Sequence, residues 1–257
     1  MNAMLALDIA LLSDPGGRRY NEDACGHWTS ERQLCCVLAD GAGGHGGGDV
    51  AARLAVQELI GRFAQQPSHN AAGLGELLRE TNEALIGQRV PGTARADMHS
   101  TVVCLVVDFI DQHAHWAHAG DSRLYWFRDG QVLDRTRDHS HVQALVDAGV
   151  IAEQDVRSHP KRSELRSALG IAGDVLEVGS ADGRQPVLGG DAFLLCTDGL
   201  WEYVDDATIA RALREAASPR AWLDTLQAAV QQAAAHKTSH DNYTALAVWA
   251  RDAQGGP

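Results

Sequence analysis

Five stretches of the 257-residue chain hold acidic side chains in short turns. RRYNEDACGHW carries Glu22 and Asp23, LADGAGGHGGGDV carries Asp40, WAHAGDSRLYW carries Asp121, LLCTDGLWE carries Asp198, and SHDNYTALAVW carries Asp241. Taken singly, each is an ordinary Asx-turn or cap. If they meet at one edge of the fold, their carboxylates repel one another unless cations compensate, and hard oxygen donors suit Mg2+ or Mn2+. The glycine run after Asp40 admits three uses: a phosphate cradle, a hinge, or half of a metal site. A Walker loop requires Gly-Lys-Ser/Thr, whereas Gly46 is followed by Gly47 and Gly48 with no lysine in reach. A dinucleotide fingerprint would point the charge of Asp40 at a pyrophosphate. The remaining geometry is an aspartate ending a buried strand, with a turn tight enough for backbone carbonyls to reach a cation.

Such turns need strands to end on. Short apolar or β-branched runs predict strands over Gln33–Ala39, Thr101–Phe109, His113–His118, Ser122–Arg128, Ala192–Cys196 and Tyr243–Ala250, with another in the mildly apolar N-terminus. A helical period predicts helices over Asp49–Phe63, Leu74–Ile86, Asp206–Ala216 and Arg220–Ala235, with Asp49 as the N-cap of the first. This order of strands and helix pairs predicts an α+β fold of one domain over residues 1–257, two sheets face to face with helix pairs outside. Residues 138–170 read as a polar insertion with one short helix, placed as a flap beside the site.

Six motifs in order resemble the metal-dependent serine/threonine protein phosphatases of type 2C, in particular their compact bacterial branch. They are RxxNED (Arg18 to Asp23), DGxGGH (Asp40 to His45), GDSR (Gly120 to Arg123), DHS (Asp138 to Ser140), TDG (Thr197 to Gly199) and HDN (His240 to Asn242). The likeness runs from about Asp8 to Trp249. It implies a four-layer α-β-β-α sandwich of mainly antiparallel sheets with a two-metal site in a cleft at one end. By the same likeness Asp40 bridges both Mn2+ or Mg2+ ions, the Gly41 carbonyl binds one, and Asp198 and Asp241 bind the second. Glu22 and Asp23 act mostly through metal-bound waters, Asn242 orients Asp241, and Asp121 with Asp198 holds a third, weaker ion.

The implied reaction is hydrolysis of phosphoserine or phosphothreonine in proteins by a hydroxide bridging the ions. Such a water has its pKa lowered from about 15.7 towards neutrality, so no protein nucleophile is needed. Arg18 is expected to clamp phosphate oxygens in a bidentate fork that lysine cannot copy. The chain departs from the family at Ala42, where many eukaryotic members carry a histidine that protonates the leaving group and bacterial members usually carry methionine. His45 is a candidate for that role or a brace for the glycine turn, and a metal-bound water is another. His99 stands where relatives tend to have glycine, and His159 in the flap is a candidate substrate contact. A stand-alone bacterial member implies a cognate Hanks-type kinase as its opponent. The alternative, from a different class, is a pseudophosphatase that binds phosphoproteins or a kinase without turnover; a degenerate member should lack one of Asp40, Asp198 or Asp241, and all three are present.

Composition limits the partners. A formal charge of -12 with no Lys/Arg cluster disfavours nucleic acid. No apolar run approaches the roughly 20 residues that span a bilayer, and the N-terminus lacks a positive n-region, so a cytoplasmic monomer without membrane association is expected. Five cysteines without CxxC spacing predict buried free thiols. The remaining histidines and the six tryptophans are most simply core or surface residues.

Overall fold

A computed structural model describes residues 5–42 and 47–253. One antiparallel sheet has the order β1-β12-β11-β7-β8, with β1 Leu5–Asp14, β7 Arg123–Arg128, β8 Gln131–Arg135, β11 Ala192–Cys196 and β12 Tyr243–Asp252. The other has the order β10-β6-β5-β3-β2, with β2 Asp23–Thr29, β3 Gln33–Ala42, β5 Val102–Asp108, β6 His113–Ala119 and β10 Gln185–Pro186. Two short strands, β4 His99–Ser100 and β9 Gly179–Ser180, pair with β3 and β6.

Helices α1 Gly48–Gln65 and α2 Ala71–Gly87 cover the second sheet, and α5 Asp206–Glu215 and α6 Pro219–Ala234 cover the first. The four predicted long helices and the four-layer α-β-β-α order are thus present. Strand periodicity produces the layers, because successive side chains leave a strand on opposite faces. In β3, Leu34, Cys36 and Leu38 enter the core between the sheets. The intervening Cys35, Val37 and Ala39 pack under α1 and α2. In β12, Leu246 and Val248 face between the sheets while Ala245 and Ala247 face the other helix pair. Central strands apolar on both faces therefore look like continuous apolar runs in sequence.

Helix starts follow local chemistry. Asp205 caps α5 by accepting from Thr208 N at 2.7 Å, and Ser218 caps α6 with Pro219 at its first position. The prediction that Asp49 caps α1 is incorrect. The helix begins one residue earlier with Gly47 at the cap, and Asp49 lies in the first turn, where it accepts from Arg53 at 2.6 Å. The Glu22 carboxylate accepts from the Gly48 backbone instead, so an acid from another strand serves that helix end.

The 138–170 segment contains α3 His141–Asp147 and a 3-10 turn, Glu153–Ser158. It returns to the body through bridges Ser140–Leu165 and Ser100–Leu169. All five cysteines are free, and Cys35, Cys36, Cys104 and Cys196 are buried, with burial pushing the Cys36, Cys104 and Cys196 thiols upward. No helix among the described residues is long and apolar enough to cross a membrane.

Candidate active site

Strand register gathers the acids. Asp23 lies directly opposite Asp40 in the β2–β3 pair. In the other sheet the end of β11 meets the start of β12, Cys196 opposite Ala245, and the start of β7, Cys196 opposite Arg123. Asp198, Asp241 and Asp121, each within two residues of those strand ends, therefore share one edge. Stacking the two sheets brings that edge over Asp23 and Asp40.

Hydroxyls hold the Asp23 carboxylate and the Asp40 backbone. Thr197 Oγ1 donates to Asp23 Oδ2 at 3.0 Å and accepts from Thr244 N at 2.9 Å, which ties the two sheets together at the site. The Asp40 N–H donates to Thr101 Oγ1 at 3.0 Å, and Thr101 Oγ1 lies 2.7 Å from Ser122 Oγ. The Asp40 carbonyl accepts from the Thr101 N–H at 2.8 Å and from Ser100 Oγ at 3.0 Å. Sequence reasoning assigned none of these hydroxyls a role. Thr197 and Ser122 lie inside the TDG and GDSR motifs, which was the available signal.

Glycines permit the close approach. A Cβ on Gly41 would lie 1.9 Å from the Gly48 carbonyl oxygen, and one on Gly199 would lie 1.9 Å from the Asn242 carbonyl oxygen. Neither position has room for a side chain. Asn242 is buried and ties three loop groups: its side chain donates to the carbonyls of Pro15 (2.8 Å) and Tyr20 (2.9 Å) and accepts from Glu22 N (2.8 Å). Its link to Asp241 runs through the backbone, Asn242 N donating to Asp241 Oδ1 at 2.9 Å.

Arg18 is half exposed at the mouth of the site and donates to Asp241 Oδ2 at 2.9 Å. Two arginines of the flap bond residues at or just after α4 Asp198–Trp201. Arg157 donates to the Trp201 carbonyl at 2.7 Å and to Asp206 at 2.8 Å. Arg162 pairs with Glu202, one turn beyond Asp198, at 2.5 Å. Neither Arg162 nor Glu202 was singled out by sequence, although Glu202 stands four residues after Asp198 in DGLWE. His159 in the same flap uses its ring Nδ1 to accept from the backbone N–H of Lys161 at 3.2 Å. His45 lies outside the described residues.

Beneath Asp121, the Arg123 guanidinium is buried and forms a two-pronged pair with Asp138 at 2.9 and 2.7 Å. It also donates to the Tyr125 hydroxyl at 3.2 Å and lies 3.6 Å from the centre of a Trp201 ring. Trp201 in turn donates its indole N–H to the Asp121 carbonyl at 2.9 Å.

The electrostatics are those of crowded anions. Burial, then Asp23, Asp198, Asp121 and Asp241, hold the Asp40 carboxyl well above the usual carboxylate range. Burial, then Asp121, Glu202, Asp241 and Asp23, do the same to Asp198. Burial raises Asp23 to about 6, and burial together with Asp138 raises Asp121 to about 7. Burial, Asp49 and Asp241 raise Glu22. Among the described residues no group of three or more His, Cys, Asp or Glu side chains forms a ready-made metal cage. A donor set of crowded carboxylates plus the Gly41 backbone carbonyl fits hydrated hard cations, which retain several waters, and the repulsion among the acids is what such cations would relieve.

A stability test follows from the sign of these shifts. A carboxyl whose folded pKa lies above its unfolded value adds stability at pH below about 4 and loses it as pH rises through the folded pKa, here about 6 to 7 for Asp23 and Asp121. At about 1.4 kcal/mol per unit, the site contributes a destabilisation of a few kcal/mol at pH 8. In EDTA the melting temperature is therefore expected to fall between pH 5.5 and 8 by roughly 5–10 °C, and Mn2+ is expected to raise it more at pH 8 than at pH 5.5. A melting temperature that rises or stays flat over that window in EDTA would contradict the crowding.

A protein phosphatase 2C family model matches residues 18–240. The chain belongs to the protein phosphatase 2C family. This 2C-type chain is 36% identical over 212 residues to the serine/threonine protein phosphatase PstP of Mycobacterium tuberculosis, covering 82% of the chain and 39% of that protein. The chain thus spans well under half the length of that relative. It is 31% identical over 204 residues to the serine/threonine phosphatase stp of Listeria innocua, covering 77% of the chain and 79% of the relative. Among solved structures, the catalytic domain of the phosphatase PstP in complex with two manganese ions superposes with a TM-score of 0.78 at 30% identity, over 96% of this chain and all of that one. The 2C family likeness thus extends from the motifs to the sandwich.

Proposed function

We propose that the protein hydrolyses phosphoserine and phosphothreonine in proteins with the help of Mn2+ or Mg2+, opposing a serine/threonine kinase of Hanks type in the cytoplasm as a monomer. The observation that carries this is the cluster of Glu22, Asp23, Asp40, Asp121, Asp198 and Asp241 at one edge, five of them with carboxyls pushed up by burial first and then by neighbouring acids. Divalent cations, if bound there, would lower the pKa of a water that serves as nucleophile and would place positive charge opposite the phosphoryl oxygens. Asp40, the Gly41 carbonyl, Asp198 and Asp241 are the residues to hold them, with Glu22 and Asp23 acting through waters and Asp121 sharing a third, weaker position with Asp198.

The protein's own contribution is positioning. Thr197 and Thr101 hold Asp23 and Asp40 in place, and Asn242 fixes the loop that presents Glu22. Arg18 bonds Asp241 and is exposed enough to reach a phosphate; its fork suits two phosphate oxygens, each charge-assisted bond contributing about 1.5–3 kcal/mol. Ala42 has no group that can deliver a proton, so the leaving alkoxide takes its proton from elsewhere, His45 or water. Hydrolysis of a small aryl phosphate by the purified protein tests the proposal. Turnover is expected with added Mn2+ or Mg2+ and to be lost in EDTA, and full activity after exhaustive chelation would exclude the metal-assisted route.

A further inference from the structure

Beside the acidic edge is a groove of about 420 Å3 between the end of β3 and the returning arm of the flap. Its apolar part is formed by Ala42, Leu165, Ala168 and Ile171, and its rim by Asp97 and His99. Ala42 and His99 are cross-strand partners in the β3–β4 pair, so both unusual residues of this chain open onto the same space. Ala42 is two residues beyond Asp40, roughly 6.6 Å along a strand. That distance is one or two residues of an extended peptide.

The polar groups around the groove are unequal. His99 Nε2 faces Arg89 Nη2 at 3.1 Å, and because an arginine can only donate, this nitrogen accepts. Nδ1 then carries the hydrogen, 3.2 Å from the Asp97 carbonyl. With both nitrogens engaged, His99 offers its ring face and no proton transfer. Arg166 is held by both oxygens of Glu177 at 2.6 Å. Asp97 is 89% exposed and has no arginine or lysine pair among the described residues, its nearest cationic candidate being His99 at 3.9 Å.

We propose that this groove receives a lysine or arginine flanking the phosphoresidue of the substrate, an inference that rests on the phosphatase function above. The aliphatic stem of such a residue would lie along Ala42 and Leu165 while its cation reaches Asp97 across the His99 ring. A net charge of -12 favours a basic flank over an acidic one at longer range. The small side chain at position 42 leaves the stem its space.

The test compares matched phosphothreonine peptides carrying Arg, Ala or Glu one and two positions either side of the phosphoresidue, with the Mn2+-loaded full chain. At one such position kcat/KM is expected to follow Arg above Ala above Glu, with about a five-fold gap between Arg and Ala. Asp97→Asn is expected to reduce that gap to within about two-fold, and Ala42→Leu to raise KM for the Arg peptide. Asp97 is exposed, so an unchanged melting temperature certifies the variant. Equal rates for the three peptides, or a preference that survives Asp97→Asn, would overturn the subsite. A small aryl phosphate is the reference: if the wild type fails to hydrolyse it with Mn2+, the phosphatase function fails, whereas turnover without peptide discrimination removes the groove alone.

Discussion

Asp40→Asn is expected to cut turnover by roughly 10³-fold or more while making the metal-free protein harder to melt at pH 8. The loss follows because divalent ions contribute several kcal/mol to phosphoryl transfer and each 1.4 kcal/mol is tenfold in rate. Asp40 is one of the residues that would hold them. The gain follows from the same location. Burial and four neighbouring aspartates already hold the Asp40 carboxyl above its ordinary range, so an uncharged amide relieves repulsion that the folded state alone experiences. Such opposition between activity and stability marks a strained functional site. Kinetics with an aryl phosphate and thermal melts in EDTA measure the two halves. Near-normal turnover would show that Asp40 is misassigned, and a lower melting temperature would show that its charge is compensated in the fold.

Arg123→Ala is expected to be among the most damaging single changes, at roughly 3–5 kcal/mol, because it strands a buried carboxylate. Asp138 is 5% exposed and both prongs of its pairing come from Arg123, itself 1% exposed. At about 2–4 °C per kcal/mol the melting temperature should drop by roughly 10 °C. Arg123→Lys should restore little, since one ammonium cannot fork onto two oxygens or lie flat on Trp201. The double variant Arg123→Met/Asp138→Leu should recover most of the loss, because removing both charges also removes their desolvation. Calorimetry on the single and double variants decides the matter.

The strands that read as continuous apolar runs, β3, β5, β11 and β12, were legible from sequence because both faces are buried. β8 was not, since QVLDR is largely exposed, leaving no periodicity to detect. The acidic turn at Asp198 proved to be the first residue of a short helix, α4. The candidate ligands were legible as motifs, whereas their supports were not. Thr197 reaches Asp23 across 174 positions, and Arg123 reaches Asp138 across 15. Nothing local in the sequence encodes those pairings; they arise from sheet register and stacking. Asp49 misled because an N-cap rule looks only at neighbouring residues, while the helix end is served by Glu22.

The position of β12 has a consequence for biosynthesis. This last strand lies between β1 and β11, and the turn before it carries Asp241 and Asn242. During vectorial synthesis β1 emerges early and must wait for almost the entire chain before its partner appears. A nonsense codon just ahead of Asp241 should therefore leave no partial activity, only a sheet with two unpaired edges exposed to aggregation.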